Sequence, residues 1–220
     1  MKAILFDLDG TLLESNFDTL IKAYFQGISA YFAELLPPDQ FIKHLVASTQ
    51  VMLSDNDPGR TNIQAFAHDF FPRTNLDPSL MELFNRYYLE EFPKLKYLAK
   101  ANPLAKEIVE LAFAYNTKVV IATNPVFPLE PIAERLRWAG VYDYPYSLIT
   151  HGDLMHYCKP NPNYYLEICE LIDVAPADCL MIGDDPEYDG PAAAVGMDVF
   201  LLREGRTLAD AMEYISAKRR

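Results

Sequence analysis

The stretch Ala3-Ile4-Leu5-Phe6-Asp7-Leu8-Asp9-Gly10-Thr11 decides the fold. An unbroken apolar run, with no polar alternation, reads as a strand buried on both faces, the kind found in parallel sheets covered by helices. Ligands of open parallel sheets bind beyond the carboxyl ends of the strands, so Asp7 and Asp9 stand at the expected rim. Two acids separated by one residue can divide the chemistry there, one attacking and the other moving protons. Gly10 permits a sharp exit and a close approach of backbone to a ligand.

Working outward, short apolar runs recur at 119–122, 147–150, 180–182 and 199–202, each reading as a further buried strand. Helical patterns lie between them, with Asn102-Pro103, Asn161-Pro162 and Asp185-Pro186 as start signals for helices over 105–115, 164–172 and 187–195. Alternating strand and helix predicts an α/β fold, a doubly wound parallel sheet with a Rossmann-like core. Residues 16–99 break the alternation with helical stripes: Leu20, Tyr24, Ile28, Tyr31, Leu35; then Ile42, Leu45, Thr49, Met52; then Ile63, Phe66, Phe70; then Leu80, Phe84, Tyr87. Pro37-Pro38 and Asp57-Pro58-Gly59 punctuate them. The predicted organisation is a core of 1–15 and 100–220 with an all-helical domain of 16–99 inserted.

The chain has 220 residues, half of them apolar, enough for a full core and a smaller inserted one. A formal net charge of -12 opposes a nucleic-acid surface, since no basic field exists to displace counterions from phosphates. No apolar run is long enough to span a membrane, and Met1-Lys2 leads straight into the first strand without a signal-peptide pattern, so a cytoplasmic location is expected. Cys158, Cys169 and Cys179 form no CxxC pair and read as small buried apolar residues.

A second acidic cluster, Gly183-Asp184-Asp185-Pro186-Glu187-Tyr188-Asp189, follows the strand at 180–182. If the two strands are neighbours, the carboxylates of both clusters crowd one rim. Such crowding needs a cation or retained protons, and hard oxygen donors select Mg²⁺. Two more strand ends supply what a phosphate needs: Thr123-Asn124 offer a hydroxyl, an amide and backbone N–H groups, and Lys159, ahead of a helix, can set a point charge between a carboxylate nucleophile and an anion.

In this order, the four segments resemble the signature motifs of the haloacid dehalogenase-like hydrolase superfamily, in the branch with a helical cap. The resemblance implies that Asp7 is the nucleophile, that Asp9 is the general acid and base, and that Thr11 positions Asp9. It implies that Thr123, Asn124 and Lys159 bind the substrate phosphate, that Asp7, the Asp9 carbonyl and Asp184 hold Mg²⁺, and that Asp185 and Asp189 support them. Dehalogenases and phosphonate-cleaving relatives lack an acid at the position of Asp9, which favours transfer from a phosphate monoester. A small phosphorylated metabolite is the expected substrate, turned over by a monomer or homodimer through an aspartyl-phosphate. A sugar phosphomutase carries the same residues, and a non-catalytic binding protein on this fold is the reading from another class. Leu12 to Ser15 and Lys100 to Asn102 read as hinge strands of a mobile cap, and the loop 33–41, with Pro37-Pro38, as its element reaching the substrate.

Overall fold

Every residue of β1 (Ala3–Phe6) is buried, as an uninterrupted apolar tetrapeptide requires of a central strand. The computed structural model describes residues 1–15 and 17–218. After β1, the short strand β2 (Leu13–Ser15) leads into α1 (Phe17–Tyr31), α2 (Pro38–Ser54), α3 (Asn62–Thr74) and α4 (Met81–Glu90). The chain returns through β3 (Ala99–Ala101) to α5 (Ala105–Ala114), β4 (Lys118–Ile121), α6 (Leu129–Trp138), β5 (Leu148–Ile149) and α7 (Pro162–Ile172). It closes with β6 (Cys179–Gly183), β7 (Asp198–Leu201) and α8 (Leu208–Ala217).

The main sheet has the order β5-β4-β1-β6-β7, and each pairing is parallel. Successive side chains of β1 serve opposite faces. Ile4 and Phe6 pack with Ile108 of α5, Ile132 of α6 and Leu208 of α8, whereas Ala3 and Leu5 pack with Tyr164 and Ile168 of α7. Helices on both faces give the doubly wound core. β2 and β3 form a separate antiparallel ribbon at the two chain crossings into the helical insertion. No described helix is long and apolar enough to cross a membrane.

The insertion packs aromatic rings in its own interior: the Phe32 centroid lies 4.7 Å from those of Phe41 and Phe84. Its first stripe holds for Leu20, Tyr24 and Ile28, but Phe32 is the next buried apolar residue and Leu35 is exposed. The i+4 steps continue to Phe32, while α1 itself stops at Tyr31 and leaves Leu35 outside the helix.

Two local expectations fail. The predicted helix over 187–195 is only a 3₁₀ segment, Gly190–Val195. The Asp185 carboxylate instead accepts from the Glu187 and Tyr188 amides in a tight turn that occupies the start of the expected helix. Helices α6 and α8 are additional to the predicted set. Pro125, Pro128 and Pro131 disguise α6, yet all three precede the helix or fall in its first turn, where no amide donor is needed.

Candidate active site

The register of three adjacent strands assembles the site. Phe6 is level with Ile121 of β4 and Ile182 of β6, so the residues following these strands emerge side by side. Asp7 donates its amide to the Ile182 carbonyl at 2.9 Å, and the Ala122 amide donates to the Phe6 carbonyl at 2.7 Å, carrying the ladder into the loop that bears Asp7 and Asp9. Asp7, Asp9, Thr123, Asn124, Lys159, Asp184, Asp185 and Asp189 all line one cavity of about 740 Å³. The sequence prediction that these segments converge holds; Thr11 lies fully buried behind them, its hydroxyl 3.5 Å from Asp184 Oδ1.

Lys159 is the electrostatic hinge of the cluster. Its side chain is 1% exposed, and Nζ donates to Asp7 Oδ1 at 2.8 Å and to Asp189 Oδ1 at 2.6 Å. Burial opposes its charge, but Asp7 and Asp189 more than offset this and hold the ammonium well above its ordinary range. Asn124 aims the loop by accepting the Lys159 amide on Oδ1 at 3.1 Å, so this oxygen serves the lysine and not a phosphate. Burial pushes the Asp7 carboxyl up to about 7, against the pull of Lys159 and with the push of Asp189 and Asp9. Burial, followed by repulsion from Asp189, raises Asp184 to about 6.

Oxygens of Asp7, Asp184 and Asp189 lie within 4.8 Å of one another. Both oxygens of Asp189 are engaged, one by Lys159 and the other by the Asp185 amide at 3.1 Å. Asp7 and Asp184 remain as the pair best placed for a cation. An all-oxygen set whose charge is disfavoured by burial and crowding suits a hard divalent ion such as Mg²⁺. The backbone is shaped around these acids. Gly10 has φ +92°, and a Cβ there would sit 2.2 Å from Asp184 Oδ2; one on Gly183 would sit 2.0 Å from Asp189 Oδ2.

Arg135 of α6 joins the site without having been anticipated. It is 2% exposed, its Nη1 donates to Asp9 Oδ2, and its Nε donates to the Pro131 carbonyl at 3.3 Å. The other Asp9 oxygen, Oδ1, is buried without a hydrogen-bond partner. The available signal was an arginine in phase with the apolar stripe of Ile132 and Leu136, because a charge on a buried helical face requires a buried partner.

The helical insertion rests directly on the core. At the start of α3, the Asn62 and Ile63 amides donate to Met155 and Gly152 carbonyls, each at 2.9 Å. The Asn62 side chain donates to Pro125 and Tyr157 carbonyls, both at 3.3 Å. Inner faces of α1 to α4 roof the cavity. The loop 33–41, expected to reach the substrate, does not line it. α1 starts shortly after the loop that bears Asp7 and Asp9, and its fifteen residues at a rise of 1.5 Å carry the chain about 22 Å along before the 33–41 loop begins. Phe41 is instead buried in the interior of the insertion.

A family model described as haloacid dehalogenase-like hydrolase matches residues 1–196. The chain belongs to that family. Among haloacid dehalogenase-like relatives, the phosphoglycolate phosphatase of Nitrosospira multiformis is 28% identical over 93% of this chain and 84% of its own. The phosphorylated carbohydrates phosphatase of Thermotoga maritima is 23% identical over 96% and 91%. A 41% identical match to the phosphoglycolate phosphatase of Thiobacillus denitrificans covers 70 residues, 32% of this chain and 30% of the relative. The fold is shared with a phosphatase structure from Thermococcus onnurineus (TM-score 0.61, 23% identity, 98% of each chain). It is also shared with L-2-haloacid dehalogenase from Xanthobacter autotrophicus (TM-score 0.52, 20% identity, 98% of this chain and 83% of that one).

Proposed function

We propose that this haloacid dehalogenase-like hydrolase is a magnesium-dependent phosphatase of a small phosphorylated compound, acting through an aspartyl-phosphate on Asp7. The observation carrying this is the Lys159 ammonium fixed on Asp7 at 2.8 Å at the floor of a roofed cavity, with a second acid, Asp9, two residues on. Lys159 holds one Asp7 oxygen and partly offsets the burial that opposes its ionisation. The other oxygen attacks phosphorus, and the bridging oxygen of the leaving group takes a proton from Asp9. Water deprotonated by Asp9 then attacks phosphorus, and the Asp7 carboxylate leaves as phosphate forms. Arg135 grips Asp9 by one oxygen and leaves Oδ1 for these transfers.

Thr123, one residue past the position level with Asp7, lines the same cavity and would offer its hydroxyl to the phosphoryl oxygens. Mg²⁺ held by Asp7, Asp184 and the Asp9 carbonyl would supply positive charge between nucleophile and phosphate. Asp189 and Asp185 keep Lys159 and the acidic turn in place. Residues 1–15 and 100–220 act as the catalytic core and 16–99 as a cap that excludes bulk water during transfer. Relatives named as phosphatases of phosphoglycolate and of phosphorylated carbohydrates support a phosphate ester as substrate. The test is release of p-nitrophenol from p-nitrophenyl phosphate by the purified chain. Turnover that needs Mg²⁺ and is abolished in Asp7→Asn supports the assignment. Absence of turnover, or turnover surviving exhaustive chelation, overturns it.

A further inference from the structure

We infer that the leaving group of the natural substrate is apolar and uncharged, such as an aryl or alkyl chain, and not a carboxylate or a second phosphate. This rests on the phosphatase reading above and concerns the half of the cavity beyond the catalytic floor. That half is walled by Phe25 of α1, Leu45 of α2, Ile63 and Phe66 of α3, and Met81 and Phe84 of α4. Apart from Asp153, its polar groups are neutral: Thr49, Gln50 and Asn85, with a pair of tyrosine hydroxyls, Tyr24 and Tyr88, bonded to each other at 2.9 Å. Burial pushes both phenols up, so neither carries charge at ordinary pH.

Among the described lining residues, Lys159 is the sole cation, and it is already committed to Asp7 and Asp189. The wall adds a further carboxylate instead, Asp153. An anionic leaving group would therefore enter a mainly apolar space without a cationic partner and against like charge, the costly case for an ion taken out of water. A sugar would leave most of its hydroxyls unpaired against ring faces. A phenyl or alkyl group would be removed from water and meet aromatic walls. The cavity volume of about 740 Å³ also far exceeds the needs of a two-carbon acid.

The experiment compares kcat/KM of the full chain with Mg²⁺ on four monoesters: 3-phenylpropyl phosphate, 2-phosphoglycolate, glucose 6-phosphate and p-nitrophenyl phosphate. The first three release primary alcohols, so leaving-group reactivity does not decide the order among them. The phenylpropyl ester should exceed both polar esters by about 100-fold or more, since a buried methylene alone discriminates by about tenfold and the unpaired polar group adds to it. Equal or better turnover of phosphoglycolate or glucose 6-phosphate overturns the inference while leaving the phosphatase reading intact. No turnover of any ester, p-nitrophenyl phosphate included, overturns that reading and the inference with it. Asn85→Lys supplies the missing cation and should narrow the phenylpropyl-to-phosphoglycolate ratio by about tenfold through a lower KM for phosphoglycolate; an unaltered ratio contradicts the inference.

Discussion

Replacing Gly10 by alanine perturbs the site through one methyl group. The added Cβ would lie 2.2 Å from Asp184 Oδ2 and 2.5 Å from its Cγ. Carbon and oxygen settle at about 3.3–3.6 Å in such contacts, so the carboxylate must withdraw by about 1 Å. Magnesium binds oxygen at about 2.0–2.1 Å and tolerates about 0.2 Å of error, so Asp184 in its displaced position no longer suits the ion. Even indirect disturbance of a metal site costs about 10–100-fold in affinity, and displacing a ligand should reach at least the upper end. The φ of +92° adds about 1–2 kcal/mol of backbone strain for a residue with a side chain, or a melting temperature lower by about 2–8 °C for a chain of this size. Gly140 separates the two effects: its φ is +72° and an added Cβ there meets nothing within 4 Å. The assay is a Mg²⁺ titration of ester hydrolysis alongside thermal unfolding. Gly140→Ala should lower the melting temperature similarly and keep the wild-type Mg²⁺ midpoint, whereas Gly10→Ala should raise that midpoint about 100-fold. A Gly10→Ala protein with wild-type Mg²⁺ dependence would refute the placement of the ion at Asp184.

Asp9→Asn should slow both half-reactions and slow poor leaving groups more than p-nitrophenol, read from kcat/KM across esters of graded alcohol acidity; equal losses would count against Asp9 as the acid. Arg135→Met leaves a buried carboxylate alone and should destabilise by about 3–5 kcal/mol, with Asp9→Asn in the same chain recovering part of it, measured as a double-mutant cycle in denaturant. Asn62→Ala removes the side-chain bonds from α3 to the Pro125 and Tyr157 carbonyls, so it should raise KM several-fold while shifting Tm by only a few degrees; an unchanged KM would argue that the cap does not close through this contact. Burial raises Asp7 to about 7 and Asp184 to about 6 from 3.8, so the metal-free chain should lose stability as pH rises from about 4 through 7, where both must ionise. Mg²⁺ competes with those protons, and its stabilisation of Tm should grow from pH of about 5 to about 7.5; the same increment at both values would contradict the assignment.

How far the sequence reports the site depends on where each partner lies along the chain. Asp7, Thr123 and Asp184 each follow an apolar strand, and a parallel sheet sets such ends side by side, so their convergence was legible in the sequence. The part played by Asp189 was less so: it was expected as a support, and the structure shows it holding Lys159 with one oxygen and the Asp185 amide with the other. Arg135 stayed hidden because its partner, Asp9, is 126 residues away and its helix begins among prolines. The cavity roof was legible as helices but not as a surface. A stripe such as Leu20, Tyr24 and Ile28 looks the same whether it fills an interior or walls a pocket, and only packing separated buried Phe41 from cavity-lining Phe84.

The phosphoryl acceptor is tested most directly by acid quench of the Asp9→Asn variant during turnover of p-nitrophenyl phosphate, followed by peptide mass mapping. p-Nitrophenol leaves without needing a proton, so loss of Asp9 slows hydrolysis of the intermediate more than its formation; one phosphoryl group should be found on the peptide containing Asp7, and its appearance should match the burst of p-nitrophenol. A burst with no phosphoryl group on Asp7, or with the group on another residue, would contradict covalent catalysis at this carboxylate.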